Sequence, residues 1–345
     1  MYTIIDYLKY YKDYDIKEFK WNIMDNLFLS ILSYMPVKSF KFKNYDELVL
    51  DILKVNKFDF KDLMIPKVIE IIQLIKDSKR YKDMKLINFI NRVDSKTQFG
   101  ALTCSLNNIK IIVFKGTDSS VIGWLENFRL SYTYPTYTQS LAIEYLNKNI
   151  NIFDNNVYVC GHSKGGNLAL VSAMELSNFK YSKIREIDNF DGPGLRYQEY
   201  NTLKFKRLRD KLINIIPTGS YVGTLLYNEN YTVIKSNSLA INEHYPTSWT
   251  IFGTVFIKGN ISKLSTELIK RTTVNIKDLD QDKMKEIFEK AFTIFDKKET
   301  KNLKLTFNDI VNLLKSVKEL DPEISKYTST IFSTILKLSK DKYEK

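Results

Sequence analysis

The chain has 345 residues, 44% of them hydrophobic and 13% aromatic, enough to bury a large core, so one main domain plus an attachment is expected. Its formal net charge of +12 favours anionic lipid surfaces or acidic substrates as partners, although the accompanying richness in Asn, Ile and Lys also arises from coding bias. The sequence lacks the arginine-rich tracts and the basic-aromatic interleaving that read nucleic acid, and this speaks against that class. Its two cysteines, Cys104 and Cys160, lie in apolar strand-like runs and suggest a reducing compartment; with only two histidines, and none at ligand spacing, no zinc site is expected.

The opening MYTIIDYLKYYKDYD lacks a basic segment followed by an unbroken apolar stretch. No later run approaches the roughly 18 apolar residues of a membrane span, so a soluble, cytoplasmic protein is expected. Residues 1–95 read as mostly helical, with apolar residues at helical spacing in MDNLFLSILSYM (Met24 to Met35) and VIEIIQLIKDSKRY (Val68 to Tyr81). From Thr97 the period changes. TQFGALTCSL and NIKIIVFKGT are β-rich, and the Asn107-Asn108 pair between them predicts a hairpin. A helix around Ser140 to Asn149 then leads to the strand VYVC and to a segment, Asn167 to Ser177, that is apolar on nearly every face. KIREIDNF, a helix from Tyr200 to Lys211, LINIIP and YTVIKS follow, and this alternation predicts βαβ units with a largely parallel sheet. WTIFGTVFIKG is the last strand-like piece. Beyond Gly259 no glycine recurs, and Asp280 to Lys298 and Phe307 to Leu320 read as amphipathic helices. The expected organisation is therefore an α/β domain over 1–260, with its catalytic core at 96–260, and a helical appendage over 261–345 that covers apolar surface or serves as a cap.

The chemistry concentrates in VYVCGHSKGGNLALVSAMEL, where G-H-S-K-G fits G-x-S-x-G. A serine in a strained turn between strand and helix needs small neighbours so that the two backbones can approach, and Gly161 and Gly165 supply them. The alternative is a glycine-rich turn that binds a phosphate or nothing; a Walker-type loop does not fit, because Lys164 is followed by two glycines. Ser163 as nucleophile needs a base. His162 is expected to pack beneath the turn, which leaves His244, in NEHYPTSW. The orienting acid should fall between serine and histidine in chain order, and Asp191, in DGPG at the end of a strand, fits better than Asp188 within it. Oxyanion donors are expected at the N–H of Lys164 and, after the strand IIVF, of Thr117. Trp124 and Phe128 are candidate surfaces for an acyl chain, or ordinary core aromatics. None of these motifs calls for a metal or a cofactor.

FKGTDSSVIGWLENF resembles the F-R-G-T-x-x-x-x-x-W-x-x-D-F segment of fungal-type, class 3 lipases, and GHSKGGNLAL is similar to their elbow. MDNLFLSILSYM, TQFGAL, NFDGPG, IPTGSYVGTLL and HYPTSW extend the likeness to a bacterial family of lipase-like α/β-hydrolases over roughly residues 1–258. That resemblance implies an α/β-hydrolase fold, a Ser163 nucleophile, a His244 base and oxyanion donors at Thr117 and Lys164. Two departures stand out. Lys115 replaces the arginine before Gly-Thr, and IIPTGSYVG carries no carboxylate where class 3 lipases place the triad acid. Either Asp191 has taken that role or Ser220 orients the imidazole as a neutral partner. The expected function is a serine hydrolase of acyl esters, lipids or thioesters; the alternative is a hydrolase scaffold retained as a binding or regulatory module. Peripheral contact with an anionic membrane is a further expectation, and the sequence does not indicate an oligomeric state.

Overall fold

The computed structural model describes residues 2–35, 67–75, 78–94, 97–118, 121–228, 230–267, 269–270, 280–296, 316–317, 319 and 321. Seven strands form one sheet in strictly sequential order: β1 (Lys85–Val93), β2 (Gln98–Leu106), β3 (Ile109–Phe114), β4 (Val157–His162), β5 (Ile184–Phe190), β6 (Leu212–Pro217) and β7 (Tyr231–Ile234). The first three pair antiparallel, with Asn107 at φ 54° in the predicted β2–β3 turn. From β3 to β7 all pairs are parallel. A mostly parallel sheet between helical layers, with a strand-turn-helix elbow at its centre, is the arrangement of an α/β-hydrolase fold.

Sequential order has a consequence for the layers. Right-handed crossovers that always step the same way put every connecting helix on one face of the sheet. Accordingly α5 (Tyr137–Asn149), α6 (Lys164–Met174) and α9 (Leu203–Leu208) share one apolar cluster with Ile112, Phe114, Val157, Val159 and Ile187. The alternate residues Ile111, Val113, Tyr158 and Cys160 point the other way. That second face has no crossover to cover it, and the N-terminal helices α1 (Ile4–Tyr11), α2 (Ile23–Leu32) and α3 (Val68–Ile75) do so.

The remaining helices are α4 (Val121–Arg129), after β3, and the short α7 (Asn178–Ser182) and α8 (Tyr197–Tyr200) before and after β5. The expected helix from Tyr200 to Lys211 is thus two short ones, α8 and α9. Within the stretch read as mostly helical, Lys85–Val93 is a strand, an outer one with half-exposed residues and a bulge between Leu86 and Asn88. The last strand-like piece is a separate two-stranded hairpin, β8 (Ile251–Phe252) with β9 (Val255–Phe256), joined to the main sheet's edge by the bridge Ile234–Lys258. In the appendage α10 (Gln281–Asp296) is described. It docks on α4 and the turn after it: the Phe288 ring stacks on Phe128 at 5.1 Å and on Tyr132 at 5.7 Å, and Arg129 grips Glu289 with two bonds of 2.7 Å. The expected helix at Phe307 to Leu320 lies almost wholly outside the described residues. Among the described residues no helix is long and apolar enough to cross a membrane.

The N-terminal layer is fastened by a buried ion pair. Asp25, fully buried on α2, accepts two bonds from Arg80, at 2.7 and 2.6 Å, together with the hydroxyls of Tyr81 and Tyr7. Removing one partner of a buried pair strands the other charge. Asp25→Ala should therefore lower the unfolding free energy by about 3 kcal/mol or more in chemical denaturation.

Candidate active site

Ser163 occupies the turn between β4 and α6 with φ 59° and ψ −132°, a conformation that L-residues seldom adopt. Close packing holds it there. A Cβ on Gly165 would lie 2.1 Å from the Phe114 carbonyl oxygen, and one on Gly161 would lie 2.3 Å from the Gly165 backbone, so neither position admits a side chain. The Ser163 N–H donates to the Phe190 carbonyl at 2.9 Å, tying the turn to the end of β5.

Asp191 follows directly on β5, at φ 51°, so its carboxylate stands at the same edge of the sheet as Ser163. It is fully buried, and its Oδ2 lies 2.6 Å from Nδ1 of His244. Its Oδ1 accepts the Ser220 hydroxyl and, at 3.1 Å, the Gly223 N–H. Of the two options for the class 3 departure, the geometry thus brings Asp191 to the imidazole and sets Ser220 behind it as a donor to the carboxylate. Asp188 is elsewhere: it faces α2 and accepts the Asn26 side-chain amide at 2.7 Å.

His244 ends a short 3-10 turn, Ala240–His244, whose backbone is held at several points. The His162 Nε2 lies 2.8 Å from the His244 carbonyl oxygen, which can only accept, so that nitrogen carries the proton. The other ring nitrogen of His162 then accepts the Tyr34 hydroxyl at 3.0 Å. Trp249 donates to the Glu243 carbonyl at 2.8 Å, and the Glu243 carboxylate accepts the Gly219 N–H at 2.8 Å. His162, as expected, packs under the turn; what its sequence context did not announce is that it grips the backbone of the other histidine, the two rings lying 4.5 Å apart. Among the described residues no hydrogen bond joins the Ser163 hydroxyl to His244, and such contacts commonly tighten only when substrate binds.

Burial drives these groups toward their neutral forms. It pulls His244 down to about 3, and burial followed by the neighbouring His244 does the same to His162. It pushes Asp191 up to about 7, against the Ser220 hydroxyl, the charge of His162 and the Gly223 N–H, which all pull downward. His244 is therefore an unprotonated imidazole at neutral pH, its Nδ1–H turned to Asp191 and its Nε2 lone pair free to take a proton.

Lys164 contributes in two ways. Its N–H is one of the unpaired donors at the start of α6. Its side chain is 1% exposed, and the ammonium donates to Glu126 Oε2 at 2.8 Å, to Gln98 Oε1 at 2.6 Å and to the Gln98 carbonyl at 2.8 Å. Glu126, on α4, also accepts the hydroxyls of Thr97 and Thr138 and the Gln98 N–H. Thr117 is buried after β3, and its hydroxyl donates to Asn127 of α4 at 3.0 Å. Both candidate oxyanion residues are thus pinned to α4. Lys115, at the arginine position, reaches Asn91 at 3.3 Å, and burial lowers its pKa. Trp124 lies on α4, its side chain outside the described set, and the Phe128 ring stacks on Phe288 of α10.

Replacing Lys164 alone leaves the Glu126 carboxylate buried without its cation. Lys164→Met should cost about 3 kcal/mol or more of stability, and adding Glu126→Leu should recover much of that loss, as measured in a double-mutant cycle by chemical denaturation.

No curated protein matches the chain. Among solved structures it is similar to a fungal lipase bound to an inhibitor, described as a model for interfacial activation in lipases, at 14% identity over 61% of this chain and 77% of that one, with a TM-score of 0.37. It is also similar to the M37 lipase, at 16% identity over 91% of this chain and 98% of that one, with a TM-score of 0.38. The model of one protein family, Mbeg1-like, matches residues 75–293, from the end of α3 through β1 to β9 and into α10, and the chain belongs to the Mbeg1-like family.

Proposed function

We propose that the protein is a serine hydrolase of acyl esters, lipids or thioesters, lipase-like in its chemistry, as the motifs shared with class 3 lipases and their bacterial relatives imply. The observation that carries the reading is the 2.6 Å contact between Asp191 and His244 Nδ1, beside a serine held at positive φ on the adjoining strand end. In this reading His244 Nε2 takes the Ser163 proton as Oγ attacks the acyl carbonyl, and Asp191 stabilises the imidazolium that forms. The N–H groups of Thr117 and Lys164 receive the negative charge of the tetrahedral intermediate. The imidazolium then protonates the leaving alcohol or thiol, and water, deprotonated by the same imidazole, releases the acid.

The unprotonated state of His244 supports the assignment, because a base that is already protonated at neutral pH could not activate the serine. A scaffold without catalysis would keep the fold and lose the activated hydroxyl, so a fluorophosphonate probe separates the two. Wild type should be labelled at Ser163 and Ser163→Ala should not; an unlabelled wild type would leave the binding-module reading. With p-nitrophenyl esters, Ser163→Ala and His244→Ala should each lower kcat by at least about a thousandfold.

Ser220 provides a subtler test. Its hydroxyl favours the charged form of Asp191, so removing it raises the pKa of that carboxyl. Activity that needs the carboxylate is lost as pH falls through that value. In Ser220→Ala the acidic limb of the kcat/KM profile should therefore move to higher pH, with the alkaline side little changed.

A further inference from the structure

We propose that the end of the molecule opposite Ser163, formed by the turn at residues 151–154 and by α7, is a docking surface for an anionic lipid bilayer. Three large apolar side chains are exposed there: Phe153 at 88%, Ile152 at 63% and Phe179 at 57%. They form one patch around Lys183, whose ammonium donates to the carbonyls of Ile152 and Asp154, at 2.6 and 2.9 Å, and stands 4.7 Å from the centre of the Phe179 ring.

Among the described residues, the charge around these side chains is positive and largely uncancelled. Lys180 donates to the Asn147 carbonyl, Lys211 to that of Ile184 at 2.6 Å, and Arg207 to those of Met174 and Leu176 at 3.0 and 2.9 Å. Arg207 and Lys211 flank the Tyr181 ring of α7 at 4.4 and 4.6 Å. The acceptors of all four cations, Lys183 included, are neutral carbonyl oxygens, so the bonds fix the side chains without neutralising them. Asp154, the acidic residue of the turn, is already paired with Lys110 at 2.6 Å; Asp210 is the carboxylate that faces Tyr181. Protruding aromatic and aliphatic side chains rimmed by fixed cations match a bilayer interface, where rings enter the headgroup layer and cations meet anionic lipid. The chain's net charge of +12 adds long-range attraction. This proposal does not depend on the hydrolase reading.

The test is flotation of the full chain with vesicles of pure phosphatidylcholine or of phosphatidylcholine containing phosphatidylglycerol. Wild type should float with the anionic vesicles, less as salt rises, and stay behind with the neutral ones. The double variant Phe153→Ser, Phe179→Ser should bind the anionic vesicles at least about tenfold more weakly while melting at the wild-type temperature. Lys180→Glu, which leaves Ile152, Phe153 and Phe179 in place, should weaken binding as well and make what remains less sensitive to salt. The idea is overturned if wild type fails to float, if it floats equally with both vesicles, or if the double variant binds unchanged. It is overturned too if sedimentation shows a dimer that the double variant dissolves, since the patch would then be a surface between two copies of this chain.

Discussion

Every parallel crossover steps in the same direction across the sheet, and much of the molecule follows from that constraint. One-way winding delivers all the crossover helices to one face and leaves the other, with Ile111, Val113, Tyr158 and Cys160, to be covered from outside the repeating pattern. The N-terminal helices fill that need, and the Asp25–Arg80 pair locks them in place. They do more than cover apolar area. Just beyond α2 comes Tyr34, whose hydroxyl meets the Nδ1 of His162, and His162 in turn holds the backbone of His244 through its Nε2. A layer required by topology thereby reaches the backbone of His244 through two hydrogen bonds.

The elbow shows the same economy of parts on the other face. Its strained serine is maintained by backbones so close that a methyl group fits at neither Gly161 nor Gly165. The residue after the serine then sends a buried ammonium to Glu126 of α4 and to Gln98, and the hydroxyls of Thr97 and Thr138 donate to Glu126 in turn. A buried pair of this kind contributes little net stability over an apolar substitute, but it holds one geometry, since any other leaves a charge unsolvated. Here the geometry it holds joins the turn to the helix that also fixes Thr117 through Asn127. The C-terminal helix α10 presses on this same α4 through Phe288 and Glu289, so the appendage bears directly on the candidate oxyanion side of the site.

How much of this could be read from the sequence differs residue by residue. The elbow was legible because its steric demand writes small residues at fixed offsets. His244 stood out through scarcity, there being only two histidines, and Asp191 through chain order and its position before a Gly-Pro-Gly turn. The outer strand Lys85–Val93 was not legible, because a half-exposed strand with a bulge loses the alternation that would mark it. Nor was the role of Ser220, of Gln98 or of the Lys164 side chain. These groups meet across 29, 66 and 38 residues of sequence, and nothing local records a contact of that kind. A lysine in a glycine-rich turn reads as a solvated charge until the fold shows the carboxylate waiting for it.

Parallel strands also set the two proposed sites apart. β4 and β5 run from the turn at 151–154 and from α7 to Ser163 and Asp191, so the apolar, cationic patch and the candidate catalytic residues sit at opposite strand ends, about 20 Å apart for a six-residue strand. A lipase that drew its substrate from the membrane it rests on would need the serine end to face the lipid. If the patch rests on the bilayer, the serine end faces water instead, and the acyl group must arrive from the aqueous side, on a soluble ester or thioester or on a carrier. The direction of the strands thus links where the protein sits to what it can reach.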